Sequence, residues 1–263
     1  MSVFDIRRGA TRGVMRTDWL DARFSFSFAD HVDPHRPRFG PLLALNEDRV
    51  QPGTGFPMHP HRDLEIVMLP RRGTVEHRDS EGRQMLVRPG ELQRMRAGRG
   101  IRHRQWNASP DEPDHHFQLW FEPSARGLEP AVRRLAYEAP APGAWRTLVS
   151  PRAEDAALDI GVDVVLALGR ATPGQALEIP ARATRGLYLH AMQGRVEVHG
   201  AGLGRAFLDD GDAIVFFDGV PPLQLQAASP AELLRFDTAA VDPRTGLSAA
   251  AALPHPRLKE CSP

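Results

Sequence analysis

Two histidines stand one residue apart in GFPMHPHRDLEIV, residues 55–67, directly ahead of an apolar run. Successive side chains of a strand alternate faces, so His59 and His61 share one face, about 7 Å apart along the backbone. At that spacing both rings can lean onto one point, as two ligands of a single metal do. A lone HxH pair fits a solvated strand face equally well, so the rest of the chain decides. A third imidazole follows in PGELQRMRAGRGIRHRQWN, where Pro89-Gly90 opens a strand, AGRG makes a second tight turn and His103 lies on the returning strand. Three neutral imidazoles with an oxygen ligand suit a catalytic Fe(II), Mn(II), Ni(II), Cu(II) or Zn(II) that keeps an open position.

Gln105 shares parity with His103 and so lies on the same strand face. Glu65 shares parity with His59 and His61 and is a candidate base; its other reading is a carboxylate paired with a nearby arginine. His77, in VEHRD, is by default a structural histidine. The segment DHHFQLWF sets His116, Gln118 and Trp120 on one face and Phe117, Leu119 and Phe121 on the other, which predicts one core face and one pocket face. The basic stretch RRGATRGVMR reads as a solvated arm. There is no Ser–His–Asp order, P-loop or GxGxxG fingerprint.

The elements that must hold these residues are strands. Apolar or alternating runs of four to eight residues recur with Gly and Pro between them: PLLALNEDRV, LEIVML, GTVEHRD, HHFQLWF, then GVDVVLALG, GLYLHAMQG and DAIVFFDG. Such a series means a sandwich or barrel. Only LEPAVRRLAYEA reads as helical. The 33 basic and 33 acidic residues cancel, which removes the net positive field that non-specific nucleic-acid binding draws on. Hydrophobic content of 41% and charged content of 25% are those of a soluble globular protein. Cys261 is the single cysteine, so no intramolecular disulfide and no Cys-ligated zinc can form. With no apolar leader and no long apolar window, a cytoplasmic protein without a membrane span is expected.

The two groups of strands look like copies. Gly73 to Gly90 and Gly194 to Gly211 are both 17 steps apart, and each first glycine is followed by x-V-E. A duplicated β-domain follows, with expected boundaries at 1–130 for a metal-binding barrel, 131–240 for a metal-free one and 241–263 for a flexible tail. With the Gly90 and Gly211 turns as anchors, His59, His61 and His103 correspond to Pro180, Arg182 and Gln224. Copy one can hold a metal and copy two cannot. The apolar residues of LYLHAM, AIVFF and LQLQ are expected to fill the second barrel.

The order HxH, Glu65, Gly73, then Gly90, Gly98, His103, Asn107, resembles the two-part signature of the cupin barrel. DARFSFSFADHVDP, NEDRVQPGTGFPMHPHRDLEIV, GTVEHRDSEG, PGELQRMRAGRGIRHRQWN and HHFQLWF together resemble the pirin family, best its short bacterial members described as quercetin 2,3-dioxygenases. The resemblance is dense over residues 17–125 and looser to about 237. It implies an all-β bicupin, two tandem cupin jelly-roll barrels packed face to face. It also implies one metal, usually iron, held in the N-terminal barrel by three His and one Glu. Here these positions are His59, His61, His103 and Gln105, so the Glu is replaced by an amide that carries no charge and accepts no proton. The implied reaction is ring cleavage of a flavonol by O2 with release of CO. The alternatives are a metal-binding regulatory pirin that acts through a protein partner, and a barrel whose site has decayed.

Overall fold

The computed structural model describes residues 4–152 and 158–248, which form strands, one turn of 3-10 helix (Gly9–Thr11) and no α-helix. The chain opens with β1 (Phe4–Arg7), β2 (Gly13–Arg16), β3 (Leu20–Phe24), β4 (Leu42–Val50), β5 (Gly55–His61) and β6 (Glu65–Arg72). Next come β7 (Val75–Asp79), β8 (Gln84–Val87), β9 (Glu91–Arg96), β10 (Ile101–Asn107), β11 (Asp114–Phe121) and β12 (Ala131–Ala136). The second half holds β13 (Ala144–Val149), β14 (Val164–Ala171), β15 (Ala176–Ile179), β16 (Arg185–Gln193) and β17 (Val196–Gly200). It closes with β18 (Ala206–Leu208), β19 (Ala213–Phe216), β20 (Leu223–Ala227) and β21 (Ala231–Ala239).

Each half is a barrel of two antiparallel sheets. In the first, a sheet ordered β12-β9-β6-β11-β4-β3-β2 faces one ordered β5-β10-β7-β8. In the second, β1-β19-β16-β21-β14-β13 faces β15-β20-β17-β18, the same order shifted by ten strands except at the edges, where β1 stands beside β19 and β2 has no counterpart. The turns repeat too. Gly73 and Gly194 have φ of 76° and 84°, and Gly90 and Gly211 have 84° and 82°, the left-handed region that favours glycine. Strand alternation explains how the barrels meet. Leu45 on β4, Leu69 on β6 and Phe117 and Phe121 on β11 turn outward and share one core with Leu166, Tyr188 and Phe236 of the second half. The expected face-to-face bicupin is therefore the fold.

Three expectations change. Residues 131–136 are strand β12, not helix: they pair with the otherwise open edge of β9, Ala131 opposite Arg96 through Ala136 opposite Glu91. A row of unpaired backbone groups on a sheet edge outweighs the modest helix preference of Ala, Arg and Leu. Sheet pairing also crosses the expected boundary at 130, because β1 joins β19 of the second half while β12 joins the first. Finally, the structural counterpart of His103 is Leu223. Val75 and Val196, each two residues after its turn glycine, pair with Asn107 and Ala227, and four steps back lie His103 and Leu223. His59, opposite His103, then matches Ile179, opposite Leu223.

That one-residue shift decides what the second barrel contains. Leu177, Ile179, Leu223 and Leu225 face inward with Leu187, Leu189, Ile214 and Phe216, whereas Gln224 is exposed and donates to Glu178. The second barrel is filled with hydrocarbon where the first carries imidazoles. Of the expected tail, residues 241–248 dock: Val241 is buried and bridges to Ser248. Residues 249–263, with Cys261, lie outside the described residues.

Candidate metal centre

The antiparallel pairing of β5 with β10 builds the site. It sets His103 opposite His59 and Ile101 opposite His61, so a single register brings three imidazoles together. The turn ahead of β10 is fixed by Gly98, whose φ is +49° and where a Cβ would lie 2.0 Å from the carbonyl oxygen of Leu128. Its own carbonyl accepts from Asp63 N–H at 2.8 Å, tying the β5–β6 turn to the β9–β10 turn. Ring centroids are 4.7 Å apart for His59–His61, 4.5 Å for His59–His103 and 5.0 Å for His61–His103. One nitrogen of each lies within 4.8 Å of the others.

Their chemistry fits a divalent ion. Burial lowers the pKa of all three: His61 falls to about 3, His103 goes well below the ordinary value, and His59 falls too, with Arg102 adding to the effect. They are neutral at pH 7 with lone pairs to give. Both ring nitrogens of His61 and Nε2 of His103 are buried without a hydrogen-bond partner, a cost that coordination would remove. His59 Nδ1–H donates to the Pro57 carbonyl at 2.7 Å, which leaves its Nε2 free. Trp120 packs edge-on against His61, centroids 5.1 Å apart at 83°.

Beside the histidines lies a pocket of about 450 Å³ of empty space, its open mouth included. Met15, Leu20, Phe24, Phe28 and Phe56 make an apolar wall; Asn46, Asp48, His59, Gln105 and Gln118 make a polar one. Alternation accounts for this. Asn46 and Asp48 on β4 point with His116, Gln118 and Trp120 on β11 into the first barrel, and Phe117, Leu119 and Phe121 point away. Asn46 Oδ1 is buried with no partner. Asp48 and Asn46 were not singled out in the sequence, although the alternation of LLALNEDRV puts both on one face.

Gln105 is bound on both sides. Its Oε1 accepts from Gln118 Nε2 at 2.9 Å, and its own Nε2 donates to Met68 Sδ at 2.9 Å and stands 3.1 Å from His116 Nε2. A bulge on β10 after His103 sets Gln105 opposite Phe56 on one side, and His77 lies opposite it on the other. His116 is fully buried between Asp114, 2.6 Å away, and Asp48, 3.5 Å away. Burial alone would lower its pKa, but the two carboxylates outweigh it and raise it to about 10.

Glu65 lies apart from the cluster. It is 1% exposed and ion-paired with Arg94 at 2.8 Å and Arg96 at 3.0 Å. The parity that joined it to His59 and His61 assumes one continuous strand, but β5 ends at His61 and Asp63, with φ of +49°, breaks the alternation. Glu65 therefore falls on the face of β6 that carries Val67 and Leu69, turned toward the other barrel.

The chain matches the family profile described as Pirin over residues 6–121 and one described as quercetinase C-terminal cupin domain over residues 147–238. It is 33% identical over 232 residues to a quercetin 2,3-dioxygenase of Escherichia coli K12, covering 88% of this chain and 97% of that protein. A pirin-like protein of Caulobacter vibrioides is 36% identical over 202 residues, covering 76% and 84%. The crystal structure of the bacterial pirin YhhW from Escherichia coli in complex with nickel(II) superposes with a TM-score of 0.83 at 31% identity, over 91% of this chain and all of that one. Matched by these profiles and relatives along both halves, the chain belongs to the pirin family.

Proposed function

We propose that this protein is a metal-dependent dioxygenase that cleaves a flavonol-like substrate such as quercetin with O2, in the cytoplasm. The observation that carries the reading is the convergence of His59, His61 and His103 on one point, with His59 lining a pocket whose opposite wall is aromatic. A bound divalent ion, Fe(II) first and Mn, Ni, Cu or Zn as substitutes, would supply the Lewis acidity and O2 chemistry that no side chain here supplies. His59, His61 and His103 hold it. Phe24, Phe28 and Phe56 receive the planar rings and exclude water. Asn46 Oδ1, buried without a partner, accepts a substrate hydroxyl.

Gln105 cannot accept the proton of an acidic hydroxyl. Asp48 is the single carboxylate lining the pocket, and we assign it that proton, with His116 behind it holding the carboxylate in place. Gln105 itself is anchored in the polar wall by Gln118, from whose Nε2 its Oε1 accepts.

The replacement of Glu by Gln at position 105 favours one second reading, a metal-binding regulatory pirin without turnover. Metal analysis and quercetin turnover separate the two. About one metal per chain with oxygen-dependent loss of quercetin and release of CO supports the dioxygenase. The same metal content without turnover supports the regulator, and absence of metal removes both.

A further inference from the structure

One buried pair has no role in the site as built so far. His77 and Asp79 on β7 are 1% and 7% exposed, directly behind His103. His103 Nδ1 stands 3.4 Å from His77 Nδ1, and His77 Nε2 stands 3.1 Å from Asp79 Oδ2. The other carboxylate oxygen, Oδ1, accepts the backbone N–H groups of Glu81 at 2.9 Å and Arg83 at 3.1 Å. Those bonds fix the carboxylate, and Arg83 Nη1 adds a contact to Oδ2 at 3.3 Å.

The hydrogen-bonding inventory sets the direction of the whole chain. A carboxylate only accepts, so the hydrogen of a neutral His77 is on Nε2. Its lone pair is then at Nδ1, facing His103. The ring across from it must donate, so His103 carries its hydrogen on Nδ1. That leaves the lone pair of His103 on Nε2, the atom buried in the cluster without a partner.

We propose that Asp79 and His77 are positioning residues that hold His103 as the Nδ1–H tautomer and so present its Nε2 to a metal. The inference rests on reading the three histidines as a metal site, and it divides the labour among them. His59 has its tautomer set by the Pro57 carbonyl, His103 by a two-residue relay, and His61 by no protein partner. Partners of this kind orient ligating imidazoles and raise their basicity.

Substitution at Asp79 can reverse the relay. In Asp79→Asn the amide oxygen stays with the two backbone N–H groups, so the amide nitrogen faces His77 and donates to Nε2. His77 must then carry its hydrogen on Nδ1, and His103 is forced to the tautomer that blocks Nε2. His77→Phe keeps a buried ring but only releases His103, which is the milder change.

The first measurement needs no variant and no metal. Nitrogen-15 NMR of histidine-labelled, metal-free wild type at neutral pH is expected to find His103 protonated on Nδ1 and His77 on Nε2. Calorimetric titration with Ni(II) is then expected to give about 10- to 100-fold weaker binding in Asp79→Asn, a smaller loss in His77→Phe, and recovery to the His77→Phe level in the double variant. A merely structural role would make the double variant the worst of the three. His103 protonated on Nε2 in wild type, Asp79→Asn binding Ni(II) like wild type, or no recovery in the double variant each overturns the relay. Wild type that binds no Ni(II) overturns the metal reading beneath it, a failure the NMR measurement tells apart.

Discussion

The indole N–H of Trp120 donates to Gln118 Oε1 at 2.9 Å, and that single bond orients every amide behind it. An indole nitrogen can only donate, so Gln118 turns its oxygen to Trp120 and its nitrogen to Gln105 Oε1. The Gln105 nitrogen is thereby left facing His116 Nε2 at 3.1 Å. Asp114 and Asp48 hold a proton on that histidine, so two donors confront each other at the end of the chain.

A carboxylate at position 105 removes the conflict, since it accepts from Gln118 and His116 together. Gln105→Glu is expected to bind Ni(II) at least ~10-fold more tightly, because three neutral imidazoles leave the ion's charge uncancelled in a low-dielectric cavity and a carboxylate beside them offsets it. Quercetin turnover should rise with it. Equal affinity and equal rate in the two proteins, by calorimetry and steady-state assay, would sink this account of position 105.

His61→Ala is expected to abolish metal binding and keep the fold. The ring is 2% exposed, yet neither nitrogen bonds to protein, so its removal breaks no hydrogen bond. Elemental analysis should fall from about one metal per chain to near zero while circular dichroism is unchanged. Metal retained by the variant would reassign the site.

Acid should destabilise the metal-free protein. His61 titrates near 3 when folded and near 6.5 when unfolded, and His103 is displaced in the same direction. Between those values the unfolded chain binds more protons, so stability present above pH ~6.5 is lost as pH falls toward 3. His116, raised to about 10, has the opposite sign: its contribution is full below pH ~6.5 and is lost as pH rises through 10. Thermal unfolding across pH should show both limbs, and His61→Ala should flatten the acid one.

The second barrel should respond as pure core. Leu223 is 1% exposed at the position where His103 stands in the first barrel, so Leu223→Ala is expected to cost about 2–5 kcal/mol in chemical denaturation. Metal content should not change. A variant that loses metal as well would mean that the two cavities are coupled.

Much of this was legible in the residues. The HxH pair, the third histidine behind two glycine turns and the equal 17-step spacing are local signals, and each sits within one hairpin or one turn. What escaped depends on a local backbone break and on strand pairing that residue types do not announce. Glu65 looked aligned with the histidines because parity was counted across Asp63, whose left-handed backbone no polar pattern announces. Residues 131–136 carry good helix formers, and only the edge of β9 makes them a strand. The counterpart of His103 came out one residue off because β10 and β20 differ by one position in their registers against β7 and β17. A shift of one is invisible in spacing and reverses which side chains point inward.

The pairing of β1 with β19 ties the two halves together in time. Among the described strands β1 comes first, yet its partner β19 begins only at Ala213. The first strand therefore waits unpaired through most of translation, and pairing across so long a stretch of chain slows folding. A cut between β12 and β13 would part β1 from β19 and leave β19 with a bare edge, a template for mispairing. The lent strand makes the second barrel's sheet depend on a segment of the first half, which couples the folding of the two.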